Sequence, residues 1–116
     1  MNSRVLVALV AIACCASPIS AHAFLKRAQP SAGAALAAAP KSVTLAFSEK
    51  LEPAFSGVTV TDSAGHNVAA AATMIDGVSM VVPLRPLARG TYRVVWQAVS
   101  VDTHRTEGSY SFTVKP

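Results

Sequence analysis

An alternation of apolar and polar residues runs through most of the chain after residue 40 and constrains the fold more than any other feature. In five runs every second position is apolar: Val43/Leu45/Phe47, Val58/Val60, Met80/Val82/Leu84, Tyr92/Val94/Trp96/Ala98 and Tyr110/Phe112/Val114. Because successive side chains of a strand point to opposite faces, each run predicts a half-buried strand. Turn-forming pairs such as Asp76-Gly77 and Arg89-Gly90 separate the runs.

Shorter elements complete the predicted architecture. We expect further strands near residues 24–28 and 67–70. The Ala-rich stretch 34–39 lies between Gly33 and Pro40 and is predicted to be loop, or at most one helical turn. About seven short strands separated by turns predict an all-β fold, a small antiparallel sandwich or Greek-key barrel. Trp96 is expected to anchor its core rather than to stack on a ligand.

The amino-terminal residues 1–21 have the pattern of a secretory signal peptide. Arg4 precedes an unbroken run of 12 apolar residues, 5–16, and small residues follow the break at Ser17-Pro18. The run is shorter than the ~20 residues of a transmembrane helix. Both cysteines lie inside it, so the mature chain is expected to have no disulfide or thiolate metal site. A lipoprotein processed before Cys14 or Cys15 is an alternative, although the leucine usual in such signals is missing.

The cleavage point decides which residue begins the mature domain. Cleavage after Ala21 makes His22 the first residue of a domain spanning residues 22–116. Cleavage after Ala23 fits the A-x-A pattern better by signal rules alone, and it would begin the domain at Phe24. Either product would be exported to a periplasm-like or extracellular space.

The segment from Val99 to His104 carries the clearest candidate site. In an extended chain, residues i and i+2 point to the same side ~6.5–7 Å apart, so Asp102 and His104 are expected to converge beyond a strand end. A carboxylate and an imidazole suit a borderline divalent ion. The alternative is that Asp102 only orients or salt-bridges His104. A terminal His22 would add an amine and a ring nitrogen, a nitrogen-rich set that favours copper(II); otherwise His22 is lost with the signal.

Four stretches together resemble CopC-type copper-resistance proteins: HAFLKRAQPSAG at 22–33, LAFSE at 45–49, GTYRVVWQAVSVDTH at 90–104 and the segment 107–112. The resemblance covers essentially the whole mature chain. It implies a periplasmic protein with an Ig-like, cupredoxin-like β fold that binds copper(II) without catalytic turnover. It also implies that the protein is a monomer. The copper would be transferred to an inner-membrane transporter of the CopD type or to other periplasmic copper proteins.

The resemblance further implies a copper(II) site made of the His22 amine and imidazole, the Asp102 carboxylate and the His104 imidazole. Glu49 occupies the nearby acidic position of the family and is expected to accept a hydrogen bond from the terminal amine or a bound water; alternatively it is a surface charge.

Some family members also bind copper(I) in a methionine-rich loop. Only Met74 and Met80 remain in the mature chain, and Met80 fits an inward strand position, so we expect no copper(I) site. His66 is expected to be exposed in the turn 65–67; pairing with Met74 as a copper(I) ligand is the alternative.

Other functions have weaker support in the sequence. A terminal histidine with a second histidine is also similar to the copper brace of oxidative polysaccharide-cleaving enzymes, and a metal-free interaction module is a further alternative. No G-x-S-x-G elbow or distinct carboxylate pair indicates a hydrolase or a glycosidase. The sequence pI is about 9.5, but the basic residues are scattered, which does not indicate a nucleic-acid-binding surface.

Overall fold

A computed structural model describes residues 23–116 of the chain. The predicted signal peptide, both cysteines and His22 lie outside the described residues. Eight strands are present in this part: β1 (Leu25–Gln29), β2 (Ala35–Leu36), β3 (Ser42–Phe47), β4 (Gly57–Thr61), β5 (Met74–Asp76), β6 (Ser79–Pro83), β7 (Gly90–Val99) and β8 (Arg105–Val114). One 3₁₀ turn, Pro53–Phe55, precedes β4. No helix in residues 23–116 has the length and apolar character needed to cross a membrane.

The strands form two four-stranded sheets that enclose one core. Their orders are β1-β3-β6-β5 and β2-β8-β7-β4, and every pairing is antiparallel except that of β2 with β8. The rings of Phe47 on β3 and Trp96 on β7 meet edge to face across the two sheets, with centroids 5.1 Å apart. The predicted all-β sandwich is therefore confirmed, with eight strands where about seven were expected.

The predicted alternation matches the observed burial. The inward residues of β3, β4, β6 and β7 are all buried, and Trp96 is part of the core as expected. Tyr110 on β8 is only half-buried: its hydroxyl donates to the Pro30 carbonyl at 2.8 Å, and burial raises its pKa to about 12. The period of two therefore identified which face of each strand packs inward.

Two local predictions are wrong for a common reason. Within the stretch predicted as loop, residues 34–39, Ala35–Leu36 forms β2 because the edge of β8 offers parallel backbone partners. The strand expected at 67–70 is instead two isolated bridges, Thr61↔Asn67 and Ala69↔Leu84. This segment bonds first to β4 of one sheet and then to the chain after β6 of the other, so it cannot continue as one strand. Tertiary pairing overrides local pattern in both places.

Side chains and loops cover the outer edge of β4. The Val58 amide and carbonyl both contact the Thr73 hydroxyl, at 3.4 and 3.2 Å. The Val60 carbonyl accepts from the Val68 amide at 2.9 Å, and the Asp62 amide donates to the His66 carbonyl at 2.9 Å. These contacts satisfy backbone groups that an edge strand would otherwise present to another chain.

We expect Gly108→Ala to destabilise the protein by about 1–3 kcal/mol, because the added Cβ would overpack the core. On β8, that Cβ would lie 2.4 Å from Cζ2 and 2.7 Å from Cε2 of Trp96. Urea unfolding followed by the fluorescence of this single tryptophan measures the change.

Gly57→Ala is the matched control, because an added Cβ there has nothing within 4 Å. Its free energy of unfolding should be unchanged or higher. Equal stability of the two variants would show that the core adapts at Gly108 without cost.

Candidate metal centre

The candidate site lies at the tip of the β7–β8 hairpin. The Ser100 amide donates to the His104 carbonyl at 2.9 Å, and the Thr103 amide donates to the Ser100 carbonyl at 2.7 Å. Thr103 has a φ of 75°, in the left-handed region that β-branched residues rarely adopt. A tight turn that ends on a left-handed residue is a common hairpin connection. The backbone therefore reverses within residues 101–103.

This turn brings the Asp102 and His104 side chains together. Oδ2 of Asp102 lies 3.2 Å from Nδ1 of His104, and the side chains are 39% and 54% exposed, respectively. The predicted convergence is confirmed, but its expected geometry is wrong: the two residues belong to a turn and not to an extended strand. The contact is common to a metal site and to a carboxylate that only orients an imidazole, so it does not by itself assign the function.

Ser100 holds the Asp102 carboxylate from beneath. Its hydroxyl donates to Oδ1 of Asp102, and the His104 amide approaches the same oxygen at 3.4 Å. The serine hydroxyl is the largest cause that lowers the pKa of Asp102 below its ordinary value, with a further contribution from His104. Asp102 is therefore ionised and available as an oxygen donor at neutral pH.

The first described residues are anchored beside this hairpin. Ala23 is buried, and its carbonyl accepts a hydrogen bond from the Thr106 hydroxyl at 2.7 Å. The Phe24 amide donates to the Ser48 hydroxyl at 2.8 Å, and the Ser48 amide donates back to the Phe24 carbonyl at 2.9 Å. The described chain thus begins next to Thr106, which lies two residues after His104.

Glu49 approaches the hairpin from the segment after β3. An antiparallel bridge pairs Leu51 with Ser100, and the Val101 amide donates to the Lys50 carbonyl at 3.1 Å. Lys50 thus lies opposite Val101, which places the preceding residue, Glu49, next to the hairpin. Glu49 is half-buried. Its predicted position beside the site is therefore compatible with the backbone pairing.

The other predicted metal-binding side chains lie elsewhere. His66 is 80% exposed and contacts Asp62 at 3.5 Å, at the end of β4 that pairs with the beginning of β7. The hairpin tip is at the opposite end of β7. Met80 is fully buried, whereas Met74 is exposed. The exposure predicted for His66 and the inward position predicted for Met80 are both confirmed.

The described residues do not contain a complete metal site. Between residues 23 and 116, no group of three or more His, Cys, Asp or Glu side chains could hold a metal ion. Asp102 and His104 are two such donors, and His22 is outside the described residues. This pair, called the half-site below, could complete a tetragonal metal site only with further ligands.

Three further residues shape this region, and the sequence patterns predicted a role for none of them: Ser48, Ser100 and Thr106. A signal for Ser100 was present, because it continues the inward positions 92, 94, 96 and 98 of β7 as a polar residue. It is 1% exposed. A hydroxyl at an inward position requires a hydrogen-bond partner, and Asp102 is that partner.

Comparisons with known proteins agree with the fold and show the family of the chain. The CopC domain family matches residues 25–115. Protein YobA of Escherichia coli strain K12 is 43% identical over 99 residues, 82% of this chain and 80% of that protein. The crystal structure of CopC from Methylosinus trichosporium OB3b is similar with a TM-score of 0.75 and 38% identity, covering 82% of this chain and 95% of that one. For PcoC, a methionine-rich copper resistance protein from Escherichia coli, the TM-score is 0.71 and the identity 47%, covering 82% and 100%.

We expect Thr103→Gly to raise the free energy of unfolding by up to about 1 kcal/mol. The left-handed conformation costs a threonine roughly 1–2 kcal/mol, which exceeds the entropy that glycine adds to the unfolded chain. Chemical denaturation measures the difference. Thr103→Val keeps the branched Cβ but loses the hydroxyl that donates to the Asp102 carbonyl, so it should not be stabilised. A glycine variant less stable than wild type would contradict strain at this turn.

Proposed function

The chain belongs to the CopC family, and from that premise we propose that it is an exported, periplasmic protein that binds copper(II) and sequesters or carries it for copper resistance. The observation that carries the proposal is the half-site of Asp102 and His104, 3.2 Å apart, beside the anchored start of the described chain. Its chemistry is ligation without substrate turnover. The likeness to CopC and to a copper resistance protein supports copper as the cargo.

The proposed ligands are the amine and imidazole of His22, a carboxylate oxygen of Asp102 and an imidazole nitrogen of His104. These donors supply three nitrogens and one oxygen, a set suited to tetragonal copper(II). The hydrogen bonds that anchor Ala23 and Phe24 support His22 as the third residue, because they hold the adjoining backbone beside the hairpin. Glu49, which precedes Lys50 in the segment that pairs with the hairpin, would accept a hydrogen bond from the amine or from a bound water.

The same anchoring favours cleavage after Ala21. A protein that began at Phe24 would lose the buried Ala23 and the carbonyl that accepts from Thr106. The half-buried Thr106 hydroxyl would then lose a partner. Cleavage after Ala21 keeps both and leaves a free amine on His22, so residues 22–116 are the proposed mature domain.

We propose that the methionine-rich copper(I) site is absent from this protein. PcoC is described as methionine-rich, whereas this chain has three methionines in all, one of them Met1. Met80 is enclosed in the core and Met74 lies on the surface. Soft thioether donors are therefore not grouped in the described part of the chain. Copper would pass to a membrane transporter of the CopD type or to another periplasmic copper protein.

We expect the protein processed in a bacterial periplasm to begin at His22 by intact mass and to bind one equivalent of copper(II). His104→Ala removes a copper ligand. It should therefore lower the copper(II) affinity by more than the 10–100-fold found when a residue that hydrogen-bonds to a ligand is replaced. His66→Ala is the matched control and should bind as wild type does. Affinities come from competition with a copper(II) chelator. A mature mass beginning at Phe24, or unchanged affinity of His104→Ala, would refute this site.

Copper(II) affinity should fall as the pH is lowered. Copper displaces protons from the amine and from the imidazoles, because these nitrogens bind a metal only in their deprotonated forms. The pKa of Asp102 is lowered, so this carboxylate stays ionised throughout and does not cause the loss. Binding should be at least about tenfold weaker at pH 5.5 than at pH 7.5, measured by chelator competition. An affinity independent of pH would exclude nitrogen ligation.

A further inference from the structure

We propose that Ser100 is a positioning residue of the copper site, which fixes Asp102 as a single-oxygen donor. This proposal rests on copper(II) binding at Asp102 and His104. Ser100 would not bind the ion itself but would act through its hydroxyl, which contacts Oδ1 of Asp102 and the His104 carbonyl at 3.3 Å. It is the buried polar residue of the described core, 1% exposed, directly under the hairpin tip.

The two oxygens of Asp102 have different surroundings. Oδ1 accepts the Ser100 hydroxyl and is 3.4 Å from the His104 amide. Oδ2 faces the His104 ring at 3.2 Å. Ser100 thus turns Oδ1 away from the imidazole, and Oδ2 and Nδ1 of His104 form the pair between which a metal could replace the shared proton. A carboxylate that is free to rotate could instead offer both oxygens.

Ser100 also fixes the backbone that carries both side chains. Its amide donates to the His104 carbonyl at 2.9 Å, and its own carbonyl accepts from the Thr103 amide at 2.7 Å. The bridge to Leu51 attaches this residue to the segment that carries Glu49. Removing the hydroxyl leaves these backbone bonds in place, so Ser100→Ala removes only the side-chain contacts, with Oδ1 of Asp102 and with the His104 carbonyl at 3.3 Å.

The expected result is a 10–100-fold loss of copper(II) affinity in Ser100→Ala, the range found when a hydrogen-bond partner of a ligand is removed. The copper(II) electron paramagnetic resonance spectrum should change as well, because the g and hyperfine values report the donor set. A residue with a purely structural role would lower stability and leave that spectrum unchanged. Ser100→Thr retains the hydroxyl and should restore both affinity and spectrum.

Ser56→Ala is the matched control. The Ser56 hydroxyl accepts from the Val99 amide at 2.9 Å, so its removal perturbs the residue next to Ser100 without touching Asp102. This variant should keep wild-type affinity and the wild-type spectrum. Thermal unfolding of every variant establishes that it is folded before copper is titrated.

The outcomes separate this proposal from the proposed function. Wild-type protein that binds no copper(II) at one equivalent would refute copper binding itself. Wild-type binding with an unchanged affinity and spectrum in Ser100→Ala would overturn only the role of Ser100. An equal loss in Ser56→Ala, or a Ser100→Thr variant as weak as Ser100→Ala, would also overturn it, because packing and not the hydroxyl would then set the affinity. If Ser100→Ala has no cooperative unfolding transition, the copper(II) affinities and spectra of Ser100→Thr and Ser56→Ala decide whether Ser100 has this role.

Discussion

The pairing of β7 with β8 is the constraint on which the rest of the structure depends. It runs without a break from Gly90↔Val114 to Val99↔Arg105. This register turns the large side chains of both strands toward the opposite sheet and places Gly108 against the indole of Trp96. A slip of one residue would exchange the buried and exposed faces. The same register ends in the short turn that carries Asp102 and His104, so the core and the candidate site share one determinant.

Burial of one face explains why so much of the fold was predictable. The apolar positions of β3 and β7 recur with a period of two, and nearly all of them are buried. The two-residue period of apolar positions contains no information about which sheet edge a short segment will pair with. Ala35–Leu36 is a strand only because β8 offers it partners, and residues 67–70 divide their bridges between two sheets. These are properties of the assembled sandwich, so local patterns could not reveal them.

The site shows a similar division between local and distant contributions. Asp102 and His104 could be chosen from the sequence because two donor types two residues apart follow a strong strand pattern. The left-handed Thr103 could not, since threonine disfavours that conformation. The bond from Thr106 to the Ala23 carbonyl joins residues 83 apart in the chain. Such a contact depends on the closed fold, and no spacing in the sequence predicts it.

The covered edge of β4 bears on how the protein behaves at high local concentration. An exposed strand edge recruits the edges of neighbouring molecules, and a metal ion that is shared between two copies would add to that tendency. Thr73 and the loop from His66 to Val68 bond to backbone groups of Val58, Val60 and Asp62, so little of this edge is open to pairing with another molecule. The protein therefore offers little free backbone at β4 for intermolecular pairing when many copies are crowded in a confined compartment.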